Sequence, residues 1–170
     1  MSIKVKRILS FVAVLVWMVV IFLFSAENSK ESSKTSDGVV AFIASITVDG
    51  FDEMTDEQKA EVIDSMSAFV RTAAHFCNFA LLGFLSLNAL LTLETKLQFK
   101  ALYAWLFSVF YAFTDELHQY FVPGRACDIM DIAVDSTGAL TGVLAMLLLI
   151  TLIKYFKTKI NKKYNIPENP

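Results

Sequence analysis

The chain is short of charge. Only 19% of its 170 residues are Asp, Glu, Lys or Arg, against 55% that are hydrophobic. With a mean hydropathy of +0.53, it is too apolar for an ordinary soluble domain of this size. A net charge of −2 gives no reason to expect nucleic acid as a partner. Cysteine is scarce too. Cys77 and Cys127 fit no metal-ligand spacing and make no disulfide framework, and Cys77 reads as an apolar helix residue. There is no Gly-rich phosphate loop, no Gly-x-Ser-x-Gly elbow and no His-Glu-x-x-His pair, which removes the best-marked nucleotide, hydrolase and zinc chemistries. No cofactor or resident metal is expected from motif spacing, and no internal repeat or low-complexity tract is visible.

What is present is a set of long apolar runs. Ile8 to Phe24 is an apolar stretch of 17 residues behind Lys4, Lys6 and Arg7. Phe24-Ser25-Ala26 lacks the small-x-small exit of a cleaved leader, so an uncleaved first span is the better reading. Ala73 to Leu93 supplies 21 residues whose only ionisable side chains are His75 and Cys77. Phe99 to Thr114 carries only Lys100 at its start and continues into an Asp-Glu motif. Ile132 to Ile153 carries Asp135 one turn inside. At a rise of about 1.5 Å per residue, about 20 residues cross the hydrocarbon layer. These runs predict an all-α membrane protein with four transmembrane helices, at about 8–24, 73–93, 99–115 and 132–153.

Flanking charge sets the expected orientation. Lys4, Lys6 and Arg7 precede the first span, Lys96 and Lys100 lie between the second and third, and Lys154, Lys157, Lys159, Lys162 and Lys163 follow the fourth. The segment from Glu27 to Arg71 instead holds ten acidic and four basic residues. Basic residues stay on the cytoplasmic side. Both termini, the 94–100 loop and a tail at 154–170 are therefore expected in the cytoplasm, with the segment 25–71 and the 115–131 loop outside.

That topology brings distant residues together. Arg71 and His75 open the second span, Asp115, Glu116 and Gln119 close the third, and Asp128, Asp131 and Asp135 open the fourth, all on the outer side. Asp128, Asp131, Asp135, Gly138 and Gly142 fall within an arc of about 80° on a helix. Gly138-x-x-x-Gly142 is a close-packing signature for helix pairs, so this stripe and its carboxylates are expected to face the bundle. Arg71, His75, Asn78 and Leu82 make a comparable stripe, and Asp115 and Gln119, four apart, can share a face.

The outer segment reads as helical. Val39, Val40, Phe42, Ile43 and Ile46 recur at helical spacing behind Asp37 as a cap. Thr55-x-x-Gln58 is a capping box for a second helix running through Met66 and Phe69 into the second span. Asp49-Gly50 is a turn. These helices form a lid over the polar site or rest on lipid, the latter being the favoured reading for the first.

Ionisable groups at a membrane boundary are costly unless they pair or bind something. Asp64, Asp115, Glu116, Asp128, Asp131 and Asp135 outnumber Arg71 and Arg125. Protonation, a metal ion or a cationic ligand would relieve the excess, and a structural salt-bridge network is the plainer alternative. His118 is expected to face solvent. Ser25 caps, joins the site or is a plain interface serine. Trp17, Tyr103, Trp105, Tyr111 and Tyr120 read as anchors and core packing.

Arg71-x-x-x-His75-Phe76, Gly83, Asp115-Glu116-x-x-Gln119, Pro123-Gly124-Arg125 and Asp128-x-x-Asp131-x-x-x-Asp135-x-x-Gly138 with Gly142 together resemble the VanZ-like family. The likeness runs from about Ile8 to Ile150 of a single domain, 1–170. Phe79 stands where the family often has tyrosine, which removes a hydroxyl, and Asp135 where asparagine is common, which adds a carboxylate. The resemblance implies a bacterial plasma-membrane protein connected with resistance to teicoplanin, a lipoglycopeptide. It leaves the reaction, if any, open.

The expected function is an outward-facing polar pocket that binds a lipid head group, a lipid-linked cell-wall intermediate or a lipoglycopeptide. Its expected ligand-binding residues are Arg71, His75, Asp115, Glu116, Gln119, Arg125, Asp128, Asp131 and Asp135, with the arginines on an anionic group. The alternative is a membrane enzyme that hydrolyses or transfers an outer-leaflet head group. There the carboxylates and His75 would act as acid and base or hold a hard divalent cation. A third reading, a transporter, uses Asp135 as a titrating group within the membrane.

Overall fold

A computed structural model describes residues 2–27, 29–125 and 127–164, and for 29–36 the backbone alone. Its helices are α1 (Ile3–Ala26), α2 (Ser29–Thr47), α3 (Asp56–Leu90), α4 (Leu97–Gln119) and α5 (Ile129–Tyr164), with one turn of 3₁₀ helix at Phe51–Glu53. There is no strand among the described residues.

Local sequence explains most of the boundaries. The Thr55 N–H donates to Gln58 Oε1 at 3.0 Å, and the Gln58 N–H donates to Thr55 Oγ1 at 3.4 Å. This capping box starts α3, which then continues without a break for 35 residues. Gly50, at φ 73°, makes the left-handed turn between α2 and α3. Asp128 caps α5: its Oδ1 accepts from the Met130 N–H at 2.8 Å and its carbonyl from the Asp131 N–H at 3.1 Å.

Some boundaries differ from the sequence reading. α2 begins at Ser29, so Asp37 lies inside the helix and does not cap it. The Ser/Lys-rich residues 29–36 carry no apolar period that would mark them as helical. α3 stops at Leu90, three residues short of Leu93, in a tight turn whose Thr92 carbonyl accepts from Arg7 Nη2 at 2.9 Å. α5 runs through Tyr164, so the expected tail is helical as far as it is described. Residues 165–170 lie outside the described residues.

α1, α3, α4 and α5 form an up-and-down bundle, with α3 in contact with each of the others. Arg7 against Thr92 marks one end and Arg125 against Phe24 the other. Lys4, Lys6, Arg7, Lys96 and Lys100 therefore gather at the end opposite the acidic motif. α3 and α5 approach most closely. A Cβ on Gly138 would strike the Phe76 carbonyl oxygen, one on Gly142 the Ala80 carbonyl, and one on Gly83 the Ala139 carbonyl. Small residues set this distance, as the Gly138/Gly142 spacing predicts. α4 buries the stripe Ala104, Ser108, Ala112, Asp115, Glu116 and Gln119. Like α5, it is small-sided toward the basic end and carboxylate-bearing toward the other.

Aromatic donors tie the helices across. Trp17 Nε1 donates to the Asn78 carbonyl at 2.9 Å, Tyr111 Oη to Met18 at 2.7 Å and Trp105 Nε1 to Ser136 at 3.1 Å. The outside of the bundle is apolar: Leu15, Val19, Leu23, Phe110, Leu144 and Leu148 are all exposed, a surface suited to lipid. α1, α3 and α5 are long and apolar enough to cross a membrane. α4 is 23 residues long but less apolar.

Candidate functional site

At the end of the bundle opposite the lysines lies a cavity of about 340 Å³. Its apolar walls include Ile21 and Phe24 of α1, Val39 of α2 and Phe79 of α3; its polar groups include Arg71, His75, Asp115 and Arg125. Up-and-down packing places these residues together, because the C-terminal ends of α1 and α4 and the N-terminal ends of α5 and of the bundled part of α3 share one side. α2 reaches the cavity through Val39 and packs on α3, burying Val40 and Ala44, while Phe42 and Ile46 face outward. It is both part of the wall and an exposed apolar surface.

Arg71 and Arg125 differ in their surroundings. Arg125 donates from Nη1 to Gln119 Oε1 at 3.0 Å, from Nε to the Glu27 carbonyl at 3.0 Å and from Nη2 to the Phe24 carbonyl at 3.3 Å. It ties the end of α1 to the end of α4 and has no carboxylate within ion-pairing distance among the described residues. Burial first, and then the nearby Arg71 charge, push its guanidinium below the usual range. Arg71 is exposed on α3 and makes no side-chain hydrogen bond or ion pair among the described residues. Among the described residues, its donors at the cavity are free.

Behind His75 and Asp115 the site becomes fully buried. His75 Nδ1 lies 3.5 Å from Asp135 Oδ1. Asp135 and Glu116 are both 0% exposed. Glu116 Oε2 accepts from the Asp128 N–H at 3.0 Å, and Asp115 Oδ2 accepts from Gln119 Nε2 at 3.1 Å. Glu116 Oε1 and both Asp135 oxygens have no hydrogen-bond partner among the described residues. His75, Asp115, Glu116 and Asp135 each offer one donor atom, all within 4.8 Å of one another.

Seven of the nine residues singled out from the sequence thus converge: Arg71, His75, Asp115, Glu116, Gln119, Arg125 and Asp135. Two do not. Asp128 is exposed and its carboxylate caps α5; only its N–H reaches the cluster. Asp131, half-buried on the first turn of α5, does not line the cavity. His118 does not face solvent as expected: its ring lies 4.6 Å from that of Phe22, with Nε2 buried and unpartnered among the described residues. Helix α1, which carries no charge along its apolar run, covers it there. Ser25 is buried beside the cavity. Apart from Ser25, which was one candidate to join the site, the contribution of α1 and the Glu27 carbonyl was missed from sequence. The period of Ile21, Phe24 and Ser25 at the C-terminal end of α1 was the available signal.

No curated protein matches the chain, and no solved structure does. A family model described as VanZ/LLP1 matches residues 10–151. That stretch holds all three glycine contacts, His75, Asp115, Glu116 and Asp135, and all the apolar helices in whole or part, and the chain belongs to the VanZ/LLP1 family.

Proposed function

We propose that the cavity binds the anionic head group of an amphiphile from the outer leaflet: a phospholipid, a lipid-linked cell-wall intermediate or a lipoglycopeptide. The observation that carries this reading is Arg71, exposed and without a side-chain partner among the described residues, at an apolar-walled cavity beside Arg125. A guanidinium with free donors suits phosphate or carboxylate, and the apolar wall suits an acyl chain. Membership of a family that includes teicoplanin-resistance proteins supports the same substrate class.

In this reading the protein sits in the bacterial plasma membrane with four crossing helices and both ends in the cytoplasm. α4 counts as a span because 23 residues cover about 35 Å, and because its polar stripe faces α3 and α5, away from lipid. Lys4, Lys6, Arg7 and the lysines after Ile153 favour the cytoplasmic side for the opposite end.

The test is native mass spectrometry of the detergent-purified full-length chain. Retained anionic lipid is expected with the wild type and is expected to fall away in Arg71→Gln. Equal retention by that variant, or none by the wild type, would overturn the reading. One observation favours a second reading, an enzyme acting on the same head group: His75 lines the cavity and Asp135, its partner in an acid–base pair by type, is buried behind it. Turnover of an added lipid extract, abolished by His75→Gln, would support it.

A further inference from the structure

We propose that His75, Asp115, Glu116 and Asp135 form a binding site for one first-row divalent cation, of the Mn²⁺ or Zn²⁺ class, in the floor of the cavity. The proposal goes beyond head-group binding and does not depend on it.

Clustered acids alone carry little weight. Here a second feature points to a ligand: Glu116 Oε1 and Asp135 Oδ2 are unpartnered among the described residues, and Asp135 Oδ1 has only His75 Nδ1, 3.5 Å away, on carboxylate side chains that are 0% exposed. A buried carboxylate without hydrogen bonds costs several kcal/mol, on the order of the penalty for burying any unpaired ion. No arginine or lysine pairs with these three carboxylates among the described residues. Arg125 directs its donors to Gln119 and to the Phe24 and Glu27 carbonyls. Arg71 is exposed at the cavity. A dication supplies both missing things, positive charge and an acceptor for the free lone pairs.

The donor set narrows the ion. Three carboxylates and one imidazole, with no thiolate, suit Mn²⁺, Fe²⁺ or Zn²⁺; an all-oxygen cage would suit Ca²⁺ better. Bonds of about 2.1 Å put opposite donors about 4.2 Å apart, so atoms already within 4.8 Å of one another need only small rotamer shifts. The remaining oxygens are held from outside: Gln119 Nε2 fixes Asp115 Oδ2 and the Asp128 N–H fixes Glu116 Oε2. Such contacts orient ligands and are typical of metal sites. His75 and Asp115 also line the cavity, which gives the ion a path in. No short spacing marks the site, because its donors come from α3, α4 and α5 and only the topology brings them together.

The test uses chelator-treated, full-length protein in detergent. Titration with Mn²⁺, followed by the EPR signal of the free ion, is expected to show one ion per chain, displaced by Zn²⁺. The chain has only two histidines, so imidazole-nitrogen coupling to bound Mn²⁺ is assignable: it is expected to vanish in His75→Gln and persist in His118→Gln. Asp135→Asn is expected to weaken binding at least roughly tenfold. If that variant does not fold, the wild-type stoichiometry and the contrast between the two histidine variants decide. A wild type that binds no more Mn²⁺ than detergent alone overturns the proposal, and would mean that the carboxylates are neutralised by protons. So would nitrogen coupling that survives loss of His75.

Discussion

Gln119 stands between two groups that never touch: its Oε1 accepts from Arg125 Nη1 at 3.0 Å and its Nε2 donates to Asp115 Oδ2 at 3.1 Å. Gln119 and Asp115 are both buried, so water cannot replace the bond between them, whereas Arg125 is half-buried at the cavity. Gln119→Leu keeps the approximate volume and removes both contacts. The stranded Asp115 oxygen costs about 1–3 kcal/mol. A fall of several degrees in the melting temperature of the detergent-solubilised chain is expected. An unchanged melting curve would mean that the relay carries no stability.

The contact of Gly142 with the Ala80 carbonyl makes the sharpest steric prediction. Gly142→Leu forces α3 and α5 apart, because backbone on the facing helix has no rotamer to yield. Overpacking costs about 1–3 kcal/mol even where side chains can adjust, so a loss at or above that range is expected. Gly38→Ala is the control. Nothing lies within 4 Å of its added Cβ, and alanine within α2 is expected to stabilise that helix by up to about 1 kcal/mol. The yields of monodisperse protein should therefore move in opposite directions.

Legibility from sequence followed the range of the interaction. Thr55 and Gln58 announce their helix because a capping box is complete within four residues. Gly138 and Gly142 announce a close helix contact because their spacing encodes a face. The gathering of Arg71, His75, Asp115 and Asp135 followed from the expected alternation of helix direction, which puts their ends on one side. What Arg125 holds did not follow. Its partners include the backbone carbonyls of Phe24 and Glu27, and a carbonyl has no residue type to reveal it. The packing of His118 on Phe22 was hidden for a related reason, since apolar side chains on α1 give no sign of which helix they cover. Asp128 was counted with the site acids because a cap and a ligand use the same carboxylate.

The capping box also separates local from global stability. Thr55→Ala removes the Oγ1 acceptor at the start of α3, at a cost of about 0.5–2 kcal/mol. This part of α3 precedes the bundled section, so the loss is expected to stay local. Amide exchange should quicken over the first turns after Asp56, with little change at Leu82 or Leu87, which are 0% exposed. A uniform acceleration along α3 would show instead that the helix unfolds as one unit.

Cys127 reports on which side of the membrane the cavity lies. It is free and exposed just before α5, between Arg125 and the Asp128 cap. The other cysteine, Cys77, is also free and exposed and lines the cavity, so the measurement needs a Cys77→Ser background. In intact cells an impermeant maleimide is expected to label Cys127 at the rate of an extracytoplasmic thiol. A cysteine placed at Lys157, beyond the apolar part of α5, is expected to react only after permeabilisation. The reverse pattern would put Arg71 and the carboxylate floor at the cytoplasmic face. An outer-leaflet amphiphile could then no longer be the ligand, whereas the cation site, which depends only on the four donor atoms, would be unaffected.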